Sequence, residues 1–153
     1  MHLAFMTPSY LKLVLDGKKT IESRFYGTMR EHSAMSCDID HEILFKRTGG
    51  NVEAISVALK VHRYRGLTPV KMQEIEAEFN DRICANAAFW EAKRDSRQGI
   101  LIELAPVIKH HIDAALLPTS REGWLVLDWQ TVAKLPNFTN PPFPHTHADA
   151  PCT

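Results

Sequence analysis

The octet Gly17-Lys18-Lys19-Thr20-Ile21-Glu22-Ser23-Arg24 sets three cations around one carboxylate. Such a cluster can clamp the oxygens of a phosphate or carbonyl. A lysine within it can also act as a general base if its pKa falls to about 7–8 from about 10.4, which costs roughly 4 kcal/mol. Arg24 pushes Lys19 that way by like charge, and Glu22 pushes it back by favouring the ammonium. Contact between Lys19 and Glu22 therefore predicts a clamp rather than a base. On an ideal strand Lys19 is out of phase with Glu22, so it must reach the site from a turn. The structural alternative is an exposed ion cluster worth about 0–1 kcal/mol.

Other residues with chemical potential are more scattered. The segment 26–40 has no periodicity and carries Arg30, His32, Ser33 and Ser36, all ligand-type side chains. It holds little apolar material beyond Met29, Ala34 and Met35, so it reads as a long loop, either a flap over a ligand or a passive insertion. Phe89 and Trp90 can stack on a base or fill the core. Trp124 is expected inside the fold. Cys84 reads as a small core residue, with no adjacent base to activate it. His110 and His111 are expected at the solvated end of a strand. His145, His147 and Cys152 lie in a segment with five of the nine prolines, where nothing holds ligands rigidly. No metal or cofactor is expected.

The elements that must position the octet follow from pattern. Residues 2–6 read as a strand. Thr7 and Pro8 start a helix that carries Tyr10, Leu11, Val14 and Leu15, and Gly17 ends it. Residues 20–25 alternate as a strand, with Ile21 and Phe25 on one face and Thr20, Glu22 and Arg24 on the other. Residues 42–48 form a strand that turns at Gly49-Gly50-Asn51. The returning strand places Ile55, Val57, Leu59 and Val61 on one face. Thr68 and Pro69 open a helix whose buried stripe is Met72, Ile75, Phe79 and Ile83. A short helix runs through Ala87, Phe89 and Trp90. Residues 98–108 and 123–127 read as strands. This order predicts an α+β fold with a small, twisted, partly closed barrel over residues 1–135, and an extended or disordered proline-rich tail over 136–153.

The spacing Gly17, Lys19, Glu22, Arg24 resembles the G-x-K-x-x-E-x-R signature of ASCH domains, a branch of the PUA-like β-barrels. Further stretches are similar to bacterial members in the same order: Met6-Thr7-Pro8 with Tyr10, Gly49-Gly50, Ile83-Cys84-Ala85 leading to Phe89-Trp90, and Gly123-Trp124-Leu125-Val126-Leu127. The resemblance implies a barrel with a cleft beside the signature strand. It also implies that the cleft recognises RNA or a modified nucleoside or nucleotide. On that basis Lys19, Thr20, Glu22, Arg24 and Arg30 are the expected ligand-binding residues. ASCH-like acetylcytidine amidohydrolases use a lysine and a threonine of this motif with a glutamate on a later helix. Lys19 matches their lysine, and Glu22 stands in place of their threonine. The resemblance therefore leaves two alternatives. One is a hydrolase of a nucleoside amide bond, with Lys19 or Glu22 as base and water as nucleophile. The other is a non-catalytic partner-binding domain. Glu74, Glu76 and Glu78 are the candidates for the helix glutamate.

Bulk properties bound these readings. The chain has 153 residues, 44% hydrophobic and 24% charged, enough for one core. Its formal net charge is zero, which argues against coating polyanions by bulk charge. Residues 1–71 nevertheless carry 11 Lys and Arg against 7 Asp and Glu, and the remainder reverses that ratio. The asymmetry permits a local basic face, or attraction between the two halves. Three separated cysteines fit a reducing compartment, and a cytoplasmic location away from membranes is expected.

Overall fold

Two periods of apolar residues build the scaffold, and one irregular strand bends it into a cleft. In the computed structural model, residues 1–136 are described. The proline-rich segment beyond them, with His145, His147 and Cys152, lies outside the described residues. The strands are β1 (His2–Met6), β2 (Ile21–Tyr26), β3 (Glu42–Arg47), β4 (Val52–Arg65), β5 (Gln98–Leu104), β6 (Ile108–Ile112) and β7 (Trp124–Val126). The helices are α1 (Pro8–Leu15), α2 (Pro69–Ile83), α3 (Ala87–Lys93) and α4 (Trp129–Val132), with 3₁₀ turns at Ser33–Ser36 and Ala114–Leu116.

The strands form one mixed sheet in the order β2-β5-β4-β3-β1-β7, with β6 also on β4. Among the described residues only β1 and β3 pair in parallel. The crossover joining them consists of α1, β2 and the segment 27–41, so it carries the octet. β4 serves both halves of the sheet. It pairs with β3 up to Val57 and with β5 from Ala58 onward. The register shifts between Ala58 and Lys60, and Leu59 is pushed out to 56% exposure. This bulge overturns the expected face of Ile55, Val57, Leu59 and Val61, because an inserted residue breaks alternation and bends the strand. The sheet curls as a result into the expected partly closed barrel, an α+β fold.

Both faces of the sheet are covered. Ala4, Met6, Ile43, Phe45, Ile100 and Ile102 fill the inside of the curl beneath α1. Met72, Ile75, Phe79 and Ile83 of α2 pack on Ile21, Phe25 and Leu101, as their spacing predicts. Leu3, Leu44, Ile55 and Ile112 meet Val132 and Leu135 near α4. The strand expected over 98–108 breaks at Ala105-Pro106-Val107 into β5 and β6, since proline cannot donate to a ladder. His110 and His111 accordingly lie within β6. Among the described residues no helix is long and apolar enough to cross a membrane.

The two Thr-Pro helix starts differ. Thr68 accepts a hydrogen bond from the Lys71 amide at 3.2 Å, capping α2. Thr7 makes no such bond, and its hydroxyl lies 3.2 Å from that of Ser9. Thr68→Ala is therefore expected to cost about 1 kcal/mol in urea unfolding, and Thr7→Ala less than about 0.5 kcal/mol.

Candidate functional site

Gly17 ends α1 with a φ of +71°, and the amides of Lys18 and Lys19 both donate to the Leu13 carbonyl at 3.0 Å. That turn aims Lys19 inward before β2 begins, which resolves the phase mismatch with Glu22. Lys19 is only 4% exposed. Its Nζ donates to the carbonyl of Ile21 at 2.8 Å and to that of Ile83 at 3.0 Å, and lies 3.5 Å from Glu22 Oε2. Ile83 is the last residue of α2, so its carbonyl has no partner within the helix and carries the negative end of the dipole. The ammonium thus faces three acceptors, matching its three donors. Burial pushes the Lys19 pKa below its ordinary value, and the Glu22 carboxylate opposes the shift.

Glu22 is 3% exposed and joins the two cations. Its Oε1 accepts from Arg24 Nε at 2.7 Å. Arg24 Nη2 then donates to the Phe5 carbonyl at 3.0 Å, tying β2 to β1 across the curl. The guanidinium lies 5.5 Å from the Trp124 ring, and the Lys19 ammonium lies 5.5 Å from the Tyr10 ring. Gly123 makes room for this arrangement: a Cβ there would stand 2.7 Å from Arg24 Nη1. Burial and Glu22 raise the Tyr10 pKa, so its phenol stays a donor.

These groups line a cavity of about 510 Å³. Lys19, Glu22, Arg24 and Arg30 all border it, together with His32 and Ser33. Thr20 does not border it; its amide and carbonyl are spent on Arg82 and Leu104. Nor do Glu74, Glu76 and Glu78, which leaves Glu22 and Glu122 as the lining carboxylates. Phe89 borders it, and Trp90 instead packs 5.8 Å from Phe25. Lys93, Arg121 and Glu122 also line the cavity and escaped the sequence reading, since each sits in an element whose placement is purely tertiary.

The segment 27–40 is better anchored than its composition suggested. Ala34, Met35 and Cys37 are buried in the main core. Arg63 donates to the Met35 and Cys37 carbonyls. Gln98 Nε2 donates to the carbonyls of Thr28 at 2.8 Å and Arg30 at 2.5 Å. His32 stacks on Tyr26 with ring centroids 3.7 Å apart. A few well-placed small residues, rather than a periodic stripe, hold this segment down.

Among the described residues, His2, Cys37 and His41 bring potential metal ligands within 4.8 Å of one another. Their protons argue for a different use. The Trp124 indole donates to His2 Nδ1 at 3.0 Å, so the His2 proton sits on Nε2 and is donated to His41 Nδ1 at 2.9 Å. A cation on Nε2 would move that proton to Nδ1, against the indole N–H. Burial also pushes the Cys37 thiol up to about 12, away from a ligating thiolate. The same burial pushes His2 down to about 4. The hydrogen-bond chain from Trp124 through His2 to His41 holds Trp124 at the cavity wall.

No family model matches the chain, and no curated protein matches its sequence. Solved structures do. The ASCH protein from Zymomonas mobilis superposes with a TM-score of 0.67 at 11% identity, covering 88% of this chain and 94% of that one. A tyrosine-to-phenylalanine variant of the same protein gives 0.68 at 12% identity, over 87% and 94% of the two chains. A serine-to-alanine variant gives 0.68 at 11%, over 87% and 92%. At such identity the likeness speaks for fold alone, and that fold is the ASCH-domain fold.

Two outcomes are expected. Glu22→Ala leaves two cations without their anion and should cost about 3–5 kcal/mol in urea unfolding. Glu74→Ala, at the exposed Lys71–Glu74 pair, should change stability by less than about 0.5 kcal/mol. The second outcome concerns pH. The folded His2 value of about 4 lies below the unfolded value of 6.5, so its contribution is complete above pH 6.5 and lost as pH falls through 4. The loss is about 3 kcal/mol. Urea midpoints between pH 7 and pH 4 should fall more steeply for the native chain than for His2→Gln, which does not titrate.

Proposed function

We propose, from the ASCH-type fold and the geometry of its cavity, that this chain binds a nucleoside, nucleotide or RNA element beside β2. The observation that carries the reading is the convergence of Lys19, Glu22 and Arg24 on one half-open cleft bordered by aromatic side chains. A volume of about 510 Å³ falls within the range of small-molecule sites. The half-buried rings of Tyr10 and Phe89 border the cleft and can pack against a planar base. Glu22 retains free lone pairs beside its two cations and can accept from a base amino group or a ribose hydroxyl. Arg24 has Nη1 left to meet a carbonyl or phosphate oxygen, and the rigid ion pair with Glu22 sets its direction. Lys19 contributes by holding Glu22, since its own donors are engaged. The zero net charge of the chain suits a local site rather than a broad polyanion-coating surface.

One observation favours a second reading. The burial that lowers the Lys19 pKa moves it toward the range of a general base, which supports hydrolysis of an amide on an acetylated nucleoside. Against it, a neutral Lys19 that kept both carbonyl bonds would aim its lone pair at the Glu22 carboxylate.

Isothermal titration with nucleosides and a short single-stranded RNA tests the binding reading. Arg24→Ala should weaken binding at least tenfold, and RNA affinity should fall steeply with salt. Binding unchanged by that substitution would remove the cavity from the proposal. Incubation with acetylcytidine should give no product; turnover that disappears in Lys19→Ala would establish the hydrolase instead.

A further inference from the structure

Among the described residues five cations line the cavity, Lys19, Arg24, Arg30, Lys93 and Arg121, against two carboxylates, Glu22 and Glu122. That is a net charge of about +3 concentrated in one cleft of a chain whose formal total is zero. The inner charges account for only part of it. Lys19 has its three donors engaged, and Arg24 spends Nε on Glu22 and Nη2 on Phe5. The inner cluster carries about +1 of the surplus, and the other +2 lies on Arg30, Lys93 and Arg121 against Glu122. Arg30 and Arg121 are exposed, and among the described residues neither guanidinium has an intramolecular partner. Lys93 is half-buried and donates only a long 3.4 Å bond to the Phe25 carbonyl. The three come from different elements: the segment after β2, the end of α3 and the turn before β7. They have no local reason to converge, and no structural partner absorbs their charge.

We infer that the ligand is anionic, and that Arg30, Lys93 and Arg121 form a phosphate subsite at the rim of the cleft. The inference rests on the nucleoside reading above and narrows it to a phosphate-bearing nucleotide or a strand whose backbone runs along the rim. The division of labour follows from burial. The inner cluster is mostly buried and internally bonded, so it fixes the shape of the pocket and reads a base edge through the Glu22 lone pairs and the Arg24 Nη1 that its own bonds leave free. The rim is hydrated and free to meet an anion without first breaking an internal bond. Glu122 lies among the rim cations and is exposed. It offsets one of the three rim charges, so the rim that meets the phosphate keeps a net charge of about +2. Tyr26, with His32 stacked on it, borders the cavity beside Arg30. The carbonyl of Arg30 accepts from Gln98, which fixes the backbone from which the guanidinium projects.

The test compares adenosine, guanosine, cytidine and uridine with their 5′-monophosphates by isothermal titration at low salt. For the base that binds best, the monophosphate should bind at least tenfold more tightly than the nucleoside. That ratio should shrink as salt rises, because exposed rim charges are screened. It should approach one in the Arg30→Ala/Arg121→Ala double variant, whose fold is checked by its urea midpoint. A ratio near one in the native chain overturns the phosphate subsite while leaving nucleoside binding standing. A ratio unchanged in the double variant overturns its assignment to these residues. If none of the eight compounds binds, the nucleoside reading fails and the subsite fails with it.

Discussion

A buried carboxylate held between two cations organises this protein. Glu22 joins Lys19 on one side and Arg24 on the other, and each cation carries the connection further. Lys19 reaches the last carbonyl of α2, so it ties the helix layer to the start of β2. Arg24 reaches the carbonyl of Phe5, so it ties β2 to β1. The two strands are not neighbours in the sheet, and this ionic bridge spans the gap that the curl leaves between them. Buried ion pairs seldom stabilise more than well-packed apolar groups would. Their use here is geometric. They define one arrangement of the cleft, because every alternative leaves a charge without a partner.

The surroundings are built to keep that arrangement. The bulge near Leu59 bends β4 and brings the two halves of the sheet into a curl. Gly123 leaves the space that Arg24 occupies. Trp124 lies near the guanidinium and is in turn held by His2, which is why a neutral histidine at the second residue matters to a site on the opposite wall. A shift in any one of these supports would be felt at Glu22. The rim is built on the opposite plan, from cations on separate elements, Arg30 and Arg121 exposed and Lys93 half-buried.

Features set by local chemistry were legible in the sequence. The stripe Met72, Ile75, Phe79, Ile83 could be read because helical period and burial coincide. The glycine stop at Gly17 could be read because a left-handed residue is needed there. The inward turn of Lys19 followed from the parity of β2. Features set by distant partners were not legible. The bulge at Leu59 depends on pairing one strand with two neighbours at different registers. The anchoring of residues 34–37 depends on Arg63, far along the chain. Thr20 shares the octet and an alternating face with Glu22, yet its backbone bonds to Arg82 and Leu104 place it at the edge of the cavity-forming strand, off the lining. Lys93 and Arg121 carry no motif, and only the assembled cleft brings them near Arg24.

The charge state of Lys19 bears most directly on whether the inner cluster is a scaffold or a catalyst. Nitrogen-15 NMR of the lysine side chains at neutral pH reads it. A scaffold requires a Lys19 ammonium with three protons that exchange slowly, because each is hydrogen-bonded or paired, beside an exposed Lys60 ammonium that exchanges rapidly. A Lys19 nitrogen that is a neutral amine at pH 7, or that exchanges as fast as Lys60, would contradict the buried ion cluster on which the cleft is built.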